Sequence, residues 1–217
     1  MSSDSDEPVR VAKDFDDSAC EFCERYKNSG LSKSSRILLN FVVEEGANDK
    51  AVLDIGCGAG GLSVELLKRG AKSSVGIDLS PEMIKVASEL AVANGFENRA
   101  KFQPGNAATA SLPASDIVVM DKVICCYSEV GQLLRNATGA SKNLLGFVVP
   151  RDDGILKRPL RFGVWVANLF QKRRHGILFY LHPLGDLDRT LRDAGFARQK
   201  KQASRFWLVF LYKRTQG

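Results

Sequence analysis

The sequence predicts an α/β fold with a doubly wound, mainly parallel sheet. Two observations support this prediction. From residue 51 onward, short apolar runs alternate with segments of helical periodicity, as in repeated βα units. The apolar runs at 117–120 and 144–149 lack regular polar alternation, which is typical of parallel strands buried on both faces.

Two helical segments precede the alternating part. Residues 1–18 contain six Asp or Glu residues and few apolar ones, so we expect a mobile acidic arm. Residues 19–45 show two helical stretches with a break near 28–30, and Ser34 or Ser35 is expected to cap the second. We interpret residues 19–217 as one domain, because no internal repeat and no second domain is visible.

The remaining elements follow in regular order. Strands are predicted at 51–55, 74–77, 100–103, 117–120, 144–149 and 206–213. Helices are predicted at 62–68, 81–94, 129–137, 157–175 and 184–194. Ser80 and Pro81 suit the N-cap and the first helical position of the second of these helices.

Composition limits the class of protein. The chain has 217 residues, of which 44% are hydrophobic and 26% charged, and these values exclude collagen-like and wholly disordered proteins. No apolar run approaches the roughly 18–20 residues of a spanning helix. The first residues, MSSDSDEP, are acidic, and no apolar segment follows them, so we expect a cytoplasmic protein without a signal peptide.

The five cysteines are predicted to be free thiols. Their number is odd, and a domain of this size does not need disulfides. Cys20 and Cys23 form a C-x-x-C pattern, and Cys125 and Cys126 are adjacent. Adjacent cysteines rarely fit a tetrahedral zinc site, so no metal is expected.

Charge is distributed unevenly along the chain. The formal net charge is +6, but from Lys142 onward 16 Lys or Arg residues stand against 5 Asp or Glu residues. This asymmetry indicates an anionic partner, which could be a carboxylated small molecule, nucleic acid or a lipid surface, or else a solvated basic face. The basic and aromatic stretch 155–171 could accordingly form an acceptor lid, touch an anionic membrane, or pack in the core.

A glycine-rich loop is the most informative segment. The apolar run 51–55 leads into Gly56-Cys57-Gly58-Ala59-Gly60 and then into a helix, an arrangement that lets a ligand approach the backbone. Asp78 ends the next strand, where a carboxylate can hold ribose hydroxyls. Asp54 would repel the pyrophosphate of a dinucleotide but would attract a cationic ligand.

The segment VLDIGCGAGG, followed by VGIDLSPEMIKVA, resembles the class I S-adenosylmethionine-dependent methyltransferases. The resemblance implies a seven-stranded Rossmann-like sheet with an N-terminal helical lid. It also implies that S-adenosylmethionine is the cofactor and S-adenosylhomocysteine the product. The positions that it assigns to the cofactor are Asp54, Gly56, Gly58 and Gly60 near the methionine part, Asp78 at the ribose, Leu79, Asn106 and Ala107 at the adenine, and Asp121 near the methionine carbons.

A finer resemblance connects the chain with the magnesium-protoporphyrin O-methyltransferase branch. It is carried by the segments 26–31, 60–61, 126–127 and 147–151, although Cys126 stands where that branch has His, and Ser32-Lys33-Ser34 stand where it has an aromatic residue. The branch methylates a propionate carboxyl of a tetrapyrrole, so we expect a small, anionic acceptor. Tyr26 and Tyr127 are the candidate catalytic residues, and His175 and His182 are weaker candidates.

Two other functions compete with this interpretation. A nicotinamide-dependent oxidoreductase would use the same sheet, but Asp54 argues against a dinucleotide. A nucleic-acid methyltransferase would suit the basic C-terminal part, yet Asp-Lys-Val-Ile at 121–124 lacks the Asn/Asp-Pro-Pro-aromatic pattern of base amino methylation. The oligomeric state does not follow from the sequence.

Overall fold

A computed structural model describes residues 7–153, 157–174 and 178–215. Its helices are α1 (Glu7–Ser29), α2 (Lys33–Glu44), α3 (Gly61–Lys68), α4 (Pro81–Ala93), α5 (Val130–Ala140), α6 (Lys157–Arg174) and α7 (Leu184–Asp193). Its strands are β1 (Ala51–Ile55), β2 (Ser73–Asp78), β3 (Ala100–Pro104), β4 (Ser115–Asp121), β5 (Ser141–Pro150), β6 (Phe196–Ser204) and β7 (Trp207–Arg214). One turn of 3₁₀-helix, Ile124–Cys126, follows β4.

The strands form a seven-stranded sheet in the order β3-β2-β1-β4-β5-β7-β6. The first five strands pair in parallel, whereas β7 pairs antiparallel with both β5 and β6. The predicted doubly wound, mainly parallel sheet is therefore confirmed. The strand order reverses between β1 and β4, and open α/β sheets bind their ligands at such a switch point.

Apolar residues of the central strands pack on both faces of the sheet. In β1, Leu53 and Ile55 belong to the cluster that includes α5 and α7, whereas Val52 belongs to the cluster that includes α2 and α3. Burial of each such side chain stabilises the fold by about 1.5–3 kcal/mol. Both faces are thus covered by helices, which explains why the strands lack polar alternation.

The N-terminal arm differs from the prediction, because residues 7–18 are the first half of α1. Val11 is buried. Two acidic side chains of α1, those of Glu7 and Asp16, accept hydrogen bonds from Ser128 and Ser80. The Asp16 carboxylate accepts hydrogen bonds from Ser80 Oγ and from the backbone N–H of Glu82, at the N-terminus of α4, where the helix dipole favours an anion. The composition suggested disorder because it does not reveal these long-range partners.

Three smaller features also concern the sequence predictions. Ser80 caps α4 as expected, since its Oγ accepts from Met83 N at 3.0 Å. Ser32, rather than Ser34 or Ser35, is the N-cap of α2 and accepts from Ser35 N. Strand β6 has no counterpart among the predicted strands, because its sequence FARQKKQAS is polar and only its first and last residues are buried.

Within the described residues, no helix has the length and apolar character needed to cross a membrane.

Candidate functional site

A cavity of about 560 Å³ lies at the carboxyl ends of β1, β2 and β4. Each of these strands contributes an aspartate to its lining: Asp54, Asp78 and Asp121. The α1 helix forms one wall through Val11 and Phe15, among other residues. The parallel arrangement of the three strands therefore gathers side chains that are far apart in the sequence at one edge of the sheet.

The glycine loop between β1 and α3 borders this cavity. Gly56 and Gly58 line it, and the loop is attached to β2 by the hydrogen bond from Gly56 N to the carbonyl oxygen of Ile77, at 2.7 Å. Gly58 has a φ of +51°, and a Cβ at this position would have no heavy atom of the protein within 4 Å. A side chain at Gly58 would therefore be strained and would extend into open space.

Gly60 has a different place from the one that the sequence suggested. It is the N-cap of α3 with a φ of +78°, and it is not among the residues that line the cavity. A Cβ on Gly60 would lie 2.9 Å from the Cβ of Ala87, so this glycine allows the loop to pack closely on α4. A glycine is therefore needed at position 60 because the loop packs closely on α4, not because this residue contacts the cavity.

Asp54 is a buried carboxyl group at the edge of the cavity. Ser63 Oγ donates a hydrogen bond to its Oδ2 at 2.7 Å, and Ser74 Oγ in turn donates to Ser63 Oγ. Burial, and to a smaller extent the neighbouring carboxylates of Asp121 and Asp78, raise the pKa of Asp54 to about 7, although the hydrogen bond from Ser63 lowers it. In the absence of a cation, this carboxyl group is therefore partly protonated at neutral pH.

Asp78 connects the glycine loop with the beginning of α4. Its Oδ2 accepts from Gly58 N and its Oδ1 from Ser80 N, each at 2.9 Å. Burial raises the pKa of Asp78, whereas these backbone donors lower it. Leu79, the next residue, also lines the cavity. Each oxygen of Asp78 keeps acceptor capacity for a second hydrogen bond.

Ala107 lines the cavity as expected, but Asn106 does not. The Asn106 side-chain oxygen accepts from Ala108 N at 3.0 Å and from the Tyr127 hydroxyl at 3.3 Å. It is therefore directed into its own loop, and its predicted contact with a ligand is not formed in this arrangement. Gly105 and Ala107 are the residues of this loop that face the cavity.

Asp121 belongs to a polar cluster that sequence reasoning did not find. We call Ser32, Ser35, Asp121 and Lys122 the Lys122 cluster. Lys122 Nζ donates to Ser35 Oγ at 2.9 Å, to Ser32 Oγ at 3.1 Å and to Asp121 Oδ1 at 3.1 Å. All four residues line the cavity, and Lys122 has a φ of +63°, a strained conformation for a residue with a side chain. The cluster attaches the beginning of α2 to the carboxyl end of β4.

Tyr26 and Tyr127 both line the cavity, but each hydroxyl already donates a hydrogen bond. Tyr26 donates to Glu65 Oε1 at 2.8 Å, and Tyr127 donates to Asn106. Burial raises the pKa of both phenols above the ordinary value of tyrosine. Neither group is thus ionised at neutral pH, so neither is prepared to act as a general base.

Of the two histidines, only His182 lies within the described residues, and it does not border the cavity. His182 Nε2 lies 2.9 Å from the carbonyl oxygen of Tyr127, to which it donates, and His182 is not among the cavity-lining residues. His175 lies outside the described residues. Among the described residues, no group of three or more His, Cys, Asp or Glu side chains could hold a metal ion.

The remaining wall of the cavity is aromatic and was not predicted. It includes Phe15 and Phe22 of α1, Phe179 from the segment before α7, and Trp207 of β7. No local sequence pattern marks these residues, because only the tertiary fold brings them together. Cys57, Cys125 and Cys126 also line the cavity as free, buried thiols.

Comparison of sequences finds relatives that align with about half of the chain. The ribosomal protein L11 methyltransferase of Pasteurella multocida is 36% identical over 107 residues, which are 49% of this chain and 36% of that protein. The enzyme of the same name from Yersinia pestis is 28% identical over 129 residues, or 58% of this chain and 44% of that protein. The chain thus spans less than half the length of these curated relatives.

Comparison of structures finds the same fold over almost the whole chain. Magnesium protoporphyrin IX methyltransferase from Synechocystis, crystallised with S-adenosylmethionine, aligns with a TM-score of 0.71 at 19% identity and covers 97% of this chain and 98% of its own. An O-methyltransferase family protein from Burkholderia thailandensis aligns with a TM-score of 0.72 at 19% identity, over 96% of this chain and 64% of its own.

The family comparison agrees with the glycine loop, the switch-point cavity and the seven-stranded sheet. Residues 47–158, which are more than half of the chain, match the family model described as a methyltransferase domain. The match includes β1 to β5 and therefore every strand that contributes an aspartate to the cavity. The chain belongs to this family of methyltransferase domains, within the class I S-adenosylmethionine-dependent methyltransferases.

Proposed function

We propose that this protein transfers a methyl group from S-adenosylmethionine to a small molecule. The acceptor group would be a carboxylate carried on a largely apolar framework. The observation that carries the proposal is the position of Asp54. It is a buried carboxyl group beside an open glycine loop, with a pKa raised to about 7 because burial and the neighbouring carboxylates of Asp121 and Asp78 disfavour its charged form. A ligand with an ammonium and a sulfonium group would supply that cation, whereas a dinucleotide pyrophosphate would be repelled.

The donor half of the cavity fits S-adenosylmethionine. Asp54 would hold the amino group of the methionine part, and Gly58 would leave room for it along the backbone. Gly56 would border the ligand while allowing the close approach of Val123, whose Cγ2 would clash with a Cβ at this position. Asp78 would accept from the ribose hydroxyls, and Leu79 would cover one face of the adenine. When bound, this cofactor supplies a methyl group that its sulfonium activates toward nucleophiles.

The loop residues differ in the parts that we assign to them. Ala107 and Gly105 line the cavity and would border the adenine, whereas Asn106 would support them by holding the loop through Ala108 N. Gly60 would contribute indirectly, because its close approach to Ala87 sets the position of the glycine loop. Asp121 would lie near the methionine carbons and orient Lys122.

The acceptor half combines an aromatic wall with cationic groups. Phe15, Phe22 and Trp207 offer apolar surface. Lys122, which pairs with Asp121, and Arg25, which pairs with Glu21, bring cationic groups to the lining. Such a combination favours a flat or apolar molecule that carries a carboxylate. A tetrapyrrole carboxylate is one candidate, supported by the fold shared with magnesium protoporphyrin IX methyltransferase from Synechocystis.

The proposed reaction needs little acid–base chemistry. A carboxylate is ionised at neutral pH and attacks the methyl carbon in line without losing a proton. This matches the tyrosines, whose hydroxyls donate to Glu65 and Asn106 and whose pKa values are raised. We therefore assign Tyr26 and Tyr127 a positioning part: the first seats α1, and the second supports the loop at 106.

The experiment that tests the proposal uses S-adenosylmethionine with a labelled methyl group. The protein is incubated with the label and a metabolite extract, and methylated products are identified by mass before and after mild alkaline hydrolysis. We expect an alkali-labile methyl ester. The proposal would be overturned by binding of NADH without binding of S-adenosylmethionine in equilibrium dialysis.

A protein acceptor is a second candidate. It is favoured by the 36% identity over 107 residues to ribosomal protein L11 methyltransferase of Pasteurella multocida. The same labelled donor, incubated with ribosomal proteins, would then label a polypeptide. Label in a protein band, with none in the metabolite fraction, would favour this second function over the first.

A further inference from the structure

The α6 helix exposes an apolar surface that no part of the described protein covers. Phe162, Trp165, Leu169 and Phe170 are between 45% and 65% exposed, and we call them the aromatic face of α6. Their spacing of three, four and one residues places them on one side of the helix. Nine large hydrophobic side chains are exposed in the described ranges, and these four of them form one group.

Two contacts fix the orientation of this helix. Arg161 Nη1 lies 3.1 Å from Oδ1 of the buried Asp152. The Asn168 side chain accepts from Phe179 N at 2.9 Å and donates to the Phe179 carbonyl oxygen at 2.7 Å. Arg161 and Asn168 are seven residues apart and so share a side, about 100° around the helix from Phe162 and Leu169. The aromatic face cannot turn inward unless these contacts break.

The charge of α6 restricts what can cover the aromatic face. The helix sequence KRPLRFGVWVANLFQKRR contains Lys and Arg residues near both ends and no Asp or Glu. A second copy that presented the same helix would be repelled by this charge. The partner must therefore combine an anionic surface with an apolar layer beneath it.

We propose that α6 binds the surface of an anionic lipid bilayer, with its aromatic face at the boundary between headgroups and acyl chains. Phe, Trp and Leu on one side of a Lys- and Arg-rich helix are the residues that bind in this way, because the apolar side chains enter the boundary while the cations meet anionic headgroups. Asn168 holds Phe179, whose side chain lines the cavity, so the bilayer would lie beside the cavity wall. This inference goes beyond the proposed function and does not depend on it.

The first test is sedimentation of the full chain with vesicles. Vesicles of phosphatidylcholine with phosphatidylglycerol are compared with vesicles of phosphatidylcholine alone, at low and at high salt. We expect binding to the anionic vesicles only, and weaker binding as salt rises. The combined variant Phe162→Ser, Trp165→Ser and Phe170→Ser should bind at least about tenfold more weakly, because three apolar side chains no longer enter the bilayer.

Two matched variants control for loss of apolar surface and of charge. Val9→Ser, Val92→Ser and Phe206→Ser change exposed apolar residues on other elements and should bind vesicles as the wild type does. Lys50→Gln, Lys85→Gln and Lys101→Gln remove three exposed charges elsewhere, for comparison with Lys172→Gln, Arg173→Gln and Arg174→Gln in α6. We expect only the α6 variants to lose binding.

A spectroscopic test reports the position of the helix directly. The chain has two tryptophans, and Trp207→Phe leaves Trp165 as the only one. Anionic vesicles should shift its emission to shorter wavelength, and lipids brominated near the headgroup should quench it. An emission spectrum that vesicles leave unchanged would overturn the proposal.

Other partners for α6 give distinguishable outcomes, each of which overturns the proposal. Loss of a dimer in the α6 apolar variant, without vesicle binding by the wild type, would make the aromatic face a contact between copies. If the wild type and the apolar variant bound vesicles equally well, and RNA abolished this binding in both at the same salt, binding would depend on the charge of α6 and not on its aromatic face. The binding of S-adenosylmethionine and the thermal unfolding midpoint, measured on every variant, separate these outcomes from misfolding and from failure of the proposed function.

Discussion

The ring of Tyr26 lies directly on the backbone of Gly61. A Cβ built on Gly61 would be 2.7 Å from Tyr26 Cδ2, closer than carbon atoms can approach without displacement. Tyr26 also donates to Glu65, one turn further along α3. The absence of a side chain at Gly61 is therefore what allows α1 to sit against the glycine loop.

Gly61→Ala should displace Tyr26 and loosen α1. Overpacking of this kind costs about 1–3 kcal/mol. We expect a lower midpoint of thermal unfolding and faster amide hydrogen exchange along residues 7–29. Gly139→Ala in α5 is the control, because a Cβ there has no heavy atom within 4 Å and alanine favours a helix. Equal exchange along α1 in the wild type and in Gly61→Ala would show that the contact is not a constraint.

Binding of S-adenosylmethionine should depend on pH through Asp54. The folded pKa of about 7 lies above the unfolded value, so the protonated group stabilises the protein below about pH 4, and this stabilisation is lost as pH rises through about 7. A cationic ligand binds the ionised form. We therefore expect the dissociation constant to rise by about tenfold between pH 8 and pH 6.

The control for this dependence is Asp54→Asn. The amide keeps the shape of the side chain but cannot ionise, so the variant should bind the cofactor weakly and equally at both pH values. Calorimetry on the wild type and on the variant measures this. A wild-type dissociation constant that is flat from pH 6 to pH 8 would contradict the assigned place of Asp54.

Substitution of Asp78 should separate its two functions. Asp78→Ala removes the acceptor for Gly58 N and Ser80 N, so it should lower stability by about 1–3 kcal/mol as well as affinity for S-adenosylmethionine. Asp78→Asn keeps one side-chain oxygen and should retain more of the stability while affinity still falls. Thermal unfolding without ligand measures the effect of each variant on stability, and equilibrium dialysis measures its effect on affinity for S-adenosylmethionine. Full affinity in Asp78→Asn would exclude a charged contact with the ribose.

Lys122→Met should act on the acceptor rather than on the donor. The change removes the ammonium group that joins Ser32, Ser35 and Asp121 at the cavity wall. We expect the acceptor KM to rise by about tenfold while the dissociation constant of S-adenosylmethionine changes little, because a charged hydrogen bond contributes about 1.5–3 kcal/mol. Lys142→Met, an exposed residue at the start of β5, should change neither value.

Tyr127→Phe should leave the chemical step almost intact. The phenol is buried, its pKa is raised, and its hydroxyl donates to Asn106. If it only supports the loop, kcat should fall by less than about threefold, whereas loss of a general base would lower it by about 10²–10⁴. The dependence of kcat on pH between 6 and 9 should be the same in the variant and in the wild type.

The sequence predicted those parts of the site that depend on local pattern. Asp54 lies in β1, Gly58 follows that strand and Asp78 ends β2. The pattern of both strands is visible in the sequence, so the meeting of these residues at one sheet edge could be foreseen from the parallel arrangement. The Lys122 cluster could not be foreseen, because Ser32 and Ser35 come from a helix whose orientation depends on packing. Asn106 was placed by resemblance alone and Gly60 by the glycine pattern together with the resemblance. In the structure, Asn106 accepts hydrogen bonds from the protein and Gly60 packs against Ala87.

The basic residues after β5 are a similar case. In the sequence, the excess of Lys and Arg from Lys142 onward, which includes Arg151 and Arg161, indicated an anionic partner or a solvated basic face. In the structure, Arg151 pairs with Asp153 and Arg161 with Asp152, both at 3.1 Å. A charge count alone cannot reveal both pairs. Asp153 lies two residues from Arg151, but Asp152 and Arg161 are nine residues apart and meet only because of the position of α6.

The bond between Asp16 and Ser80 has a consequence for how occupancy of the cavity would be measured. Ser80 follows Asp78 and Leu79, and its hydroxyl both caps α4 and donates to α1. The packing of α1 against the domain and the binding of a ligand in the cavity depend on neighbouring residues. The two equilibria are therefore linked. By reciprocity, a ligand that favours the seated helix must slow amide exchange in residues 7–29 by the factor by which seating strengthens its binding. The N-terminal segment is thus a built-in reporter, readable by mass spectrometry before any acceptor is known.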